Sequence, residues 1–130
     1  MEEFYVSTSK KYEVIDITPE VERIVNSSGV KRGLCTVYVP HATAGIIVNE
    51  FEPNIADDYI TLFRTLIPRV RYRHNEIDNN AEAHLLSSLF GASRIFIVEN
   101  SSLVLGTWQR IILCEFDGPR KRKVIVTLTE

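Results

Sequence analysis

The sequence predicts an α+β domain in which antiparallel β-sheets form a sandwich-like core, with about three helices packed outside it. Three observations carry that expectation. Apolar residues alternate with polar ones near the start, recur at helical spacing from Pro53, and return to strand-like runs through the last third. Strands and helices come in blocks, so the regular β-α-β order of a doubly wound parallel sheet is missing. A chain of 130 residues with no internal repeat, low-complexity tract or Pro/Gly-rich linker is the size of one domain, residues 1–130.

The elements follow in order. Phe4-Tyr5-Val6 opens with strand signals. Tyr12 to Ile17 alternates, placing Val14 with Tyr12 on one face and Ile15 with Ile17 on the other. Thr18-Pro19-Glu20 reads as a helix start: a capping hydroxyl, a proline in the first turn and a carboxylate at the positive end of the dipole. Val21, Ile24 and Val25 share a face of that helix, and Gly29 supplies its stop. Gly33–Val39 and Ala44–Asn49 read as buried strands joined through Pro40-His41-Ala42-Thr43. Ile55, Tyr59, Leu62, Phe63 and Leu66 then form a helical stripe that ends before Pro68. A third helix is expected from about Asp78 to Phe90, with Leu85, Leu86 and Leu89 as its apolar face and Gly91 as its stop. Strands at Arg94–Glu99, Leu103–Leu105 and Thr107–Phe116 follow, and Asp117-Gly118-Pro119 is expected to turn the chain into a hairpin completed by Lys123–Leu128.

Composition narrows the function classes. Hydrophobic content of 45% and charged content of 25% suit a soluble globular protein, and a net charge of −2 gives no general attraction to nucleic acid or anionic lipid. No apolar stretch approaches a transmembrane length. The Met1-Glu2-Glu3-Phe4 start is acidic where a secretory signal is basic, so a cytoplasmic location is expected, with no nucleic-acid or membrane partner. Cys35 and Cys114 lie in apolar strand-like runs and read as free thiols packed as small hydrophobes.

No phosphate-binding glycine loop, dinucleotide fingerprint, paired CxxC, His-Glu-x-x-His or nucleophile elbow is present. Three clusters of chemically useful residues remain. Pro40-His41-Ala42-Thr43-Ala44-Gly45, with Asn49-Glu50 after the next strand, sets a histidine at a strand interruption among small neighbours. Arg73-His74-Asn75-Glu76 and Asn79-Asn80-Ala81-Glu82-Ala83-His84 place two histidines around the start of one helix. Leu105-Gly106-Thr107-Trp108-Gln109 leads to Glu115-Phe116-Asp117-Gly118-Pro119-Arg120, after which Arg120 and Arg122 share one strand face and could grip phosphate or carboxylate. Each has an ordinary structural reading when taken singly: a histidine bonded to a carbonyl, a core tryptophan, or a charged edge strand guarding against aggregation. Three histidines from separate segments, His41, His74 and His84, make an open metal site or an acid/base cluster if the fold brings them together.

The runs His41-Ala-Thr-Ala-Gly-Ile-Ile-Val-Asn49-Glu50, Asn80-Ala-Glu-Ala-His84-Leu85, Leu105-Gly-Thr-Trp-Gln109 and Glu115-Phe-Asp-Gly-Pro-Arg120, in that order, resemble the YjbQ-like family from about Tyr5 to Leu128. The resemblance implies an α+β sandwich-like subunit assembled as a homotrimer, with a weak, secondary thiamine-phosphate synthase activity that joins a pyrimidine diphosphate to a thiazole phosphate. On that basis His41, His74 and His84 are the expected ligands of a divalent ion, zinc by preference, because neutral imidazoles suit it and three ligands leave a fourth position open. Glu50, Asp117 and Arg120 are the expected catalytic residues. Asn49, Thr107, Trp108, Gln109, Arg120 and Arg122 are expected to hold a phosphorylated small molecule. A binding module that uses the same pocket without chemistry is the alternative. Two positions depart from the family pattern: Asn75 stands where an acidic residue usually follows the histidine, and Asn100-Ser101 replaces an Asp-Gly turn.

Overall fold

A computed structural model describes every residue from Met1 to Glu130. It contains eight strands, β1 (Glu2–Ser7), β2 (Glu13–Asp16), β3 (Arg32–Tyr38), β4 (Ala44–Asn49), β5 (Ser93–Glu99), β6 (Ser102–Leu103), β7 (Arg110–Glu115) and β8 (Lys121–Thr129). Three helices, α1 (Thr18–Ser27), α2 (Pro53–Thr65) and α3 (Ala81–Phe90), and a 3-10 turn at Arg73–Glu76 complete it. Strands pair in the order β1-β8-β3-β5-β6 in one sheet and β2-β7-β4 in the other, and every pairing is antiparallel. The α+β class read from the sequence is the class observed.

The small sheet lies between two apolar layers. One layer joins the two sheets and α1 through Cys35, Val37, Val98, Val126, Ile111, Leu113 and the α1 face of Val21, Ile24 and Val25. The other layer packs Ile112 and Cys114, on the opposite face of β7, and Phe116 just after it, against Phe63 of α2, Ile67 beyond that helix, and Ala83 and Leu86 of α3. Alternate residues of β7 thus serve alternate layers, and five of its six residues are buried. At the centre of the second layer the Phe63 ring meets Phe116 edge-on, with centroids 4.9 Å apart. Such a contact adds about 1 kcal/mol beyond the area it buries. The large sheet has one covered face only. Its outer face leaves Leu34, Tyr38, Ile95 and Ile97 exposed.

Local chemistry explains the helix ends. The Glu52 carboxylate accepts from the amides of Asn54 and Ile55 at 2.8 and 2.6 Å, satisfying two free donors at the start of α2, and Pro53 follows it. Thr18, expected to cap α1, lies inside the helix, and its hydroxyl instead accepts the Ile111 amide at 2.7 Å. Asp16 takes over the capping by accepting the Thr18 amide at 3.0 Å. Gly91 follows α3 with φ of +89°, a conformation that a side chain disfavours.

Several expectations are corrected. The buried side of α2 centres on Phe63, while Leu62 and Leu66 are 41% and 40% exposed, so the stripe is rotated from the one drawn through those leucines. On α3 only Leu86 of the expected leucines is buried; Ala81, Ala83 and Ser87 complete its inner face. Small residues are inside here because α3 lies close over β4, where the Ser87 hydroxyl donates to the Ala44 carbonyl at 2.7 Å. The strand expected at Leu103–Leu105 shortens to Ser102–Leu103, and the one expected from Thr107 begins at Arg110.

The expected hairpin at Asp117-Gly118-Pro119 does not form. Both edges of β7 are already paired, with β2 and β4, so β8 has no place beside it. The chain crosses instead to the large sheet, where β8 lies between β1 and β3. Gly118 makes that crossing possible, since a Cβ there would stand 2.1 Å from the Lys10 carbonyl oxygen.

Candidate functional site

The crossing from β7 to β8 carries a chain of polar contacts that reaches two of the three histidines. His74 Nε2 lies 2.7 Å from the Asn80 side-chain oxygen, which is an acceptor, so this nitrogen carries the proton and donates. Asn80 in turn donates through Nδ2 to Asp117 Oδ2 at 3.0 Å. Arg120 Nη2 donates to the same carboxylate oxygen at 2.9 Å, and Arg120 Nε donates to the Asp117 backbone carbonyl at 2.8 Å. The His84 ring meets the His74 ring edge-on, with centroids 4.7 Å apart. Burial works to raise the Asp117 pKa, but hydrogen bonds from Asn80 and Arg120 and the charges of Arg120 and Lys11 outweigh it and hold the carboxyl below its ordinary value. Asp117 is therefore an anion at neutral pH and anchors the run.

Local folding places these groups. The 3-10 turn presents His74, and Asn75 ties that turn to α3 by accepting the Ala81 amide at 2.9 Å. The position at which the family pattern favours an acid thus caps the first residue of α3. His84 stands one turn into the same helix, which explains why two histidines ten positions apart meet.

Beneath this run lies a buried ion pair. Glu115 is fully buried and Arg122 is 3% exposed. Arg122 Nε donates to Glu115 Oε1 at 2.9 Å and Nη2 pairs with Oε2. Arg122 Nη2 also reaches the Thr43 hydroxyl and carbonyl at 2.9 and 3.0 Å, and Thr8 donates to Glu115 Oε1 at 2.7 Å. Glu115 accepts the Asp117 amide at 3.1 Å, which joins the buried pair to the surface run. Arg122, expected to grip a ligand beside Arg120, is thereby turned inward. β8 belongs to the large sheet, and that sheet's inner face takes Arg122 while Arg120 remains outside, before the strand begins.

His41 has a different setting. Its Nε2 accepts the Lys123 backbone amide at 2.8 Å, leaving Nδ1 as the protonated nitrogen of a neutral ring. Burial, followed by the Arg122 charge, lowers its basicity. No three His, Cys, Asp or Glu side chains of the chain are grouped so as to hold a metal ion. The structure brings His74 and His84 together and leaves His41 on a separate partner.

The remaining expected residues lie at the other end of the small sheet. Ala44 pairs with Glu115 and Asn49 with Arg110, so five residue steps, roughly 17 Å, separate the Asp117 end from the Asn49 end. There the Asn49 side chain accepts the Glu50 amide at 2.7 Å, and the Glu50 carbonyl accepts the Tyr59 hydroxyl at 2.8 Å. The Gly106–Gln109 turn closes on itself, with the Gln109 side-chain oxygen accepting the Gly106 amide at 2.8 Å. Trp108 is 72% exposed on that turn and has no place in the core. Glu50, Asn49, Thr107, Trp108 and Gln109 are thus separated within one chain from His74, His84, Asp117 and Arg120. The linking position of Asn80 was visible only as membership of the Asn80–Leu85 run. Thr8 carried no signal and Thr43 only its place in the His41–Glu50 run, because their partners lie far along the chain.

Comparison with known proteins agrees with the architecture. Residues 2–130 match the family model described as UPF0047 protein YjbQ-like. A UPF0047 protein of Archaeoglobus fulgidus is 46% identical over 95% of this chain and 97% of its own length. YugU of Bacillus subtilis is 42% identical over 95% of this chain and 94% of its own. Among solved structures, a hypothetical protein from Aeropyrum pernix superposes with a TM-score of 0.95 at 42% identity, covering 98% of this chain and 96% of that one. A YbjQ-like protein of unknown function from Sulfolobus solfataricus superposes at 0.94 with 44% identity, covering 98% and 94%. Near-complete coverage in every comparison leads to one conclusion: the chain belongs to the UPF0047 YjbQ-like family.

Proposed function

We propose that the His74–Asn80–Asp117–Arg120 run, with His84 against His74, is the reactive centre of a protein that binds phosphorylated small molecules and has a secondary thiamine-phosphate synthase activity. The hydrogen-bonded run carries the reading, because it combines an oriented imidazole, a fixed carboxylate and a guanidinium at an accessible position. The synthase activity itself rests on the family resemblance. In that reaction the thiazole nitrogen attacks the methylene carbon of the pyrimidinylmethyl diphosphate. A carbon–nitrogen bond forms, the carbon–oxygen bond breaks, and pyrophosphate leaves with the bonding pair. Arg120 and a histidine N–H serve this step by stabilising the charge that develops on the leaving group.

Zinc held by His41, His74 and His84 remains part of the proposal, supported by the resemblance and by the meeting of two imidazoles. The donors of one chain do not fit it as they stand, since His41 Nε2 is engaged by Lys123 and no third ligand joins the pair. The homotrimer is supported by the apolar outer face of the large sheet, where Leu34 pairs across with Ile97 and both are exposed. One observation favours the non-catalytic alternative: the cavity beside Asn80 measures only about 110 Å³, too little to enclose a substrate away from water.

The deciding experiment is turnover of the two phosphorylated substrates by purified protein, beside the His74→Ala and Asp117→Asn variants and with elemental analysis of each. Loss of about a hundredfold or more in both variants supports the centre. Unchanged turnover in both sinks it, and binding without any turnover selects the module. Metal that persists after His84→Ala removes His84 from the ligand set.

A further inference from the structure

Outside the run just described, three cations from separate segments line one cavity. Lys11 precedes β2, Arg64 lies in the last turn of α2, and Arg69 follows that helix; with Tyr12, Val70 and Glu82 they enclose about 520 Å³. None of the three takes part in an ion pair, whereas Arg32, Arg71, Arg110, Arg120, Arg122 and Lys123 all do. Lys11 Nζ stands 5.4 Å from the centre of the Tyr12 ring. Arg64 and Arg69 both act on the Tyr12 hydroxyl through their charge, opposing the rise in pKa caused by burial and by Glu82.

The cavity is not isolated. Through Lys11 and Glu82 it adjoins the small polar cavity bordered by Asn75 and Asn80, and Asn80 contacts both His74 and Asp117. In the other direction, Tyr12 and Arg64 also line a cavity of about 490 Å³ with Lys10, where Glu13 and Asp57 contribute carboxylates. Three cations thus face a single carboxylate, Glu82, in the central cavity, and they repel one another until an anion joins them. A concave site lined by like charges draws a multivalent anion more strongly than the same charges spread over a flat surface. Two guanidinium groups also offer the forked donors that match phosphate oxygens.

We infer that Lys11, Arg64 and Arg69 form a site for a diphosphate or comparable multivalent oxyanion, whose organic part extends along the groove toward Asn80 and His74. The inference deepens the reading above by giving the phosphorylated ligand a charged anchor, yet it concerns residues absent from the reactive run. The two can therefore fail separately.

The test is calorimetric titration of the full chain with inorganic pyrophosphate at low ionic strength, with orthophosphate as the weaker comparison. Saturable binding at one site per chain is expected, tighter for pyrophosphate, and weakened about tenfold or more by Arg64→Gln or Arg69→Gln. All three residues of the site are exposed at the surface, so these variants are expected to fold, and a circular dichroism spectrum checks it. Lys31→Gln, which removes one exposed cation elsewhere, controls for net charge and is expected to bind as the parent does. His74→Ala is expected to keep pyrophosphate binding even where turnover is lost. Non-saturable heats, an equal loss in Lys31→Gln, or unchanged affinity in the Arg64→Gln/Arg69→Gln double variant each overturn the site.

Discussion

Replacing Arg122 with methionine removes the guanidinium that neutralises Glu115 while keeping an unbranched, apolar side chain of related length. Glu115 is fully buried, so its carboxylate would lose its cation without gaining water. Thr8 and the Asp117 amide would remain as donors, too few to replace a charge partner held at two points. Breaking a buried pair from one side costs about 3–5 kcal/mol, because the remaining charge is left uncompensated. With an unfolding entropy near 2.1 cal/mol/K per residue, 130 residues lose about 4 °C of midpoint per kcal/mol, giving a shift of roughly 11–18 °C. Replacing both partners, Glu115→Leu with Arg122→Met, should recover most of that loss, since the desolvated charge is then gone. Urea denaturation of the parent, both single variants and the double variant measures the coupling directly. A cost below about 1 kcal/mol for Arg122→Met, or a double variant as damaged as the sum of the singles, would refute the idea that charge compensation is what holds this corner together.

Two further outcomes follow from the same geometry. The Asp117 carboxyl has a lower pKa in the fold than in the unfolded chain, so its contribution to stability is complete above the unfolded value of about 3.9 and disappears as pH falls through the lower, folded value. Asp117→Asn should therefore reduce stability at neutral pH and flatten its decline below about pH 4; denaturation midpoints across that range check it, and a parallel decline would count against the assignment. Ile97→Lys places a charge in the middle of the exposed face of the large sheet, beside Leu34, and should convert the proposed homotrimer to monomers with the fold retained. Sedimentation equilibrium reads the mass, and an unchanged trimer would move the interface elsewhere.

Much of the architecture follows from local pattern. Val21, Ile24 and Val25 had to share a helix face, Gly29 and Gly91 had to end their helices, and the alternation in β2 sent Val14 and Ile15 to different apolar layers, because side-chain periodicity and backbone sterics act over a few residues. Pairing partners are another matter. Nothing local to Asp117-Gly118-Pro119 says that β7 is already flanked on both edges, so a sequence that suits a hairpin instead joins two sheets. That choice turned Arg122 inward, created the buried pair with Glu115, and set Arg120 against Asp117 at the surface. The approach of His74 to His84 was legible in their placement around one helix start. The separation of His41 and the distance to Asn49 and Trp108 were not, since both depend on which strand ends meet. Sequence alone determined the element types and the family, because those rest on periodicity and ordered motifs. Only the tertiary structure decided which charges are buried together and which stay at the surface, because contacts between residues far apart in the chain exist only once the sheets have closed.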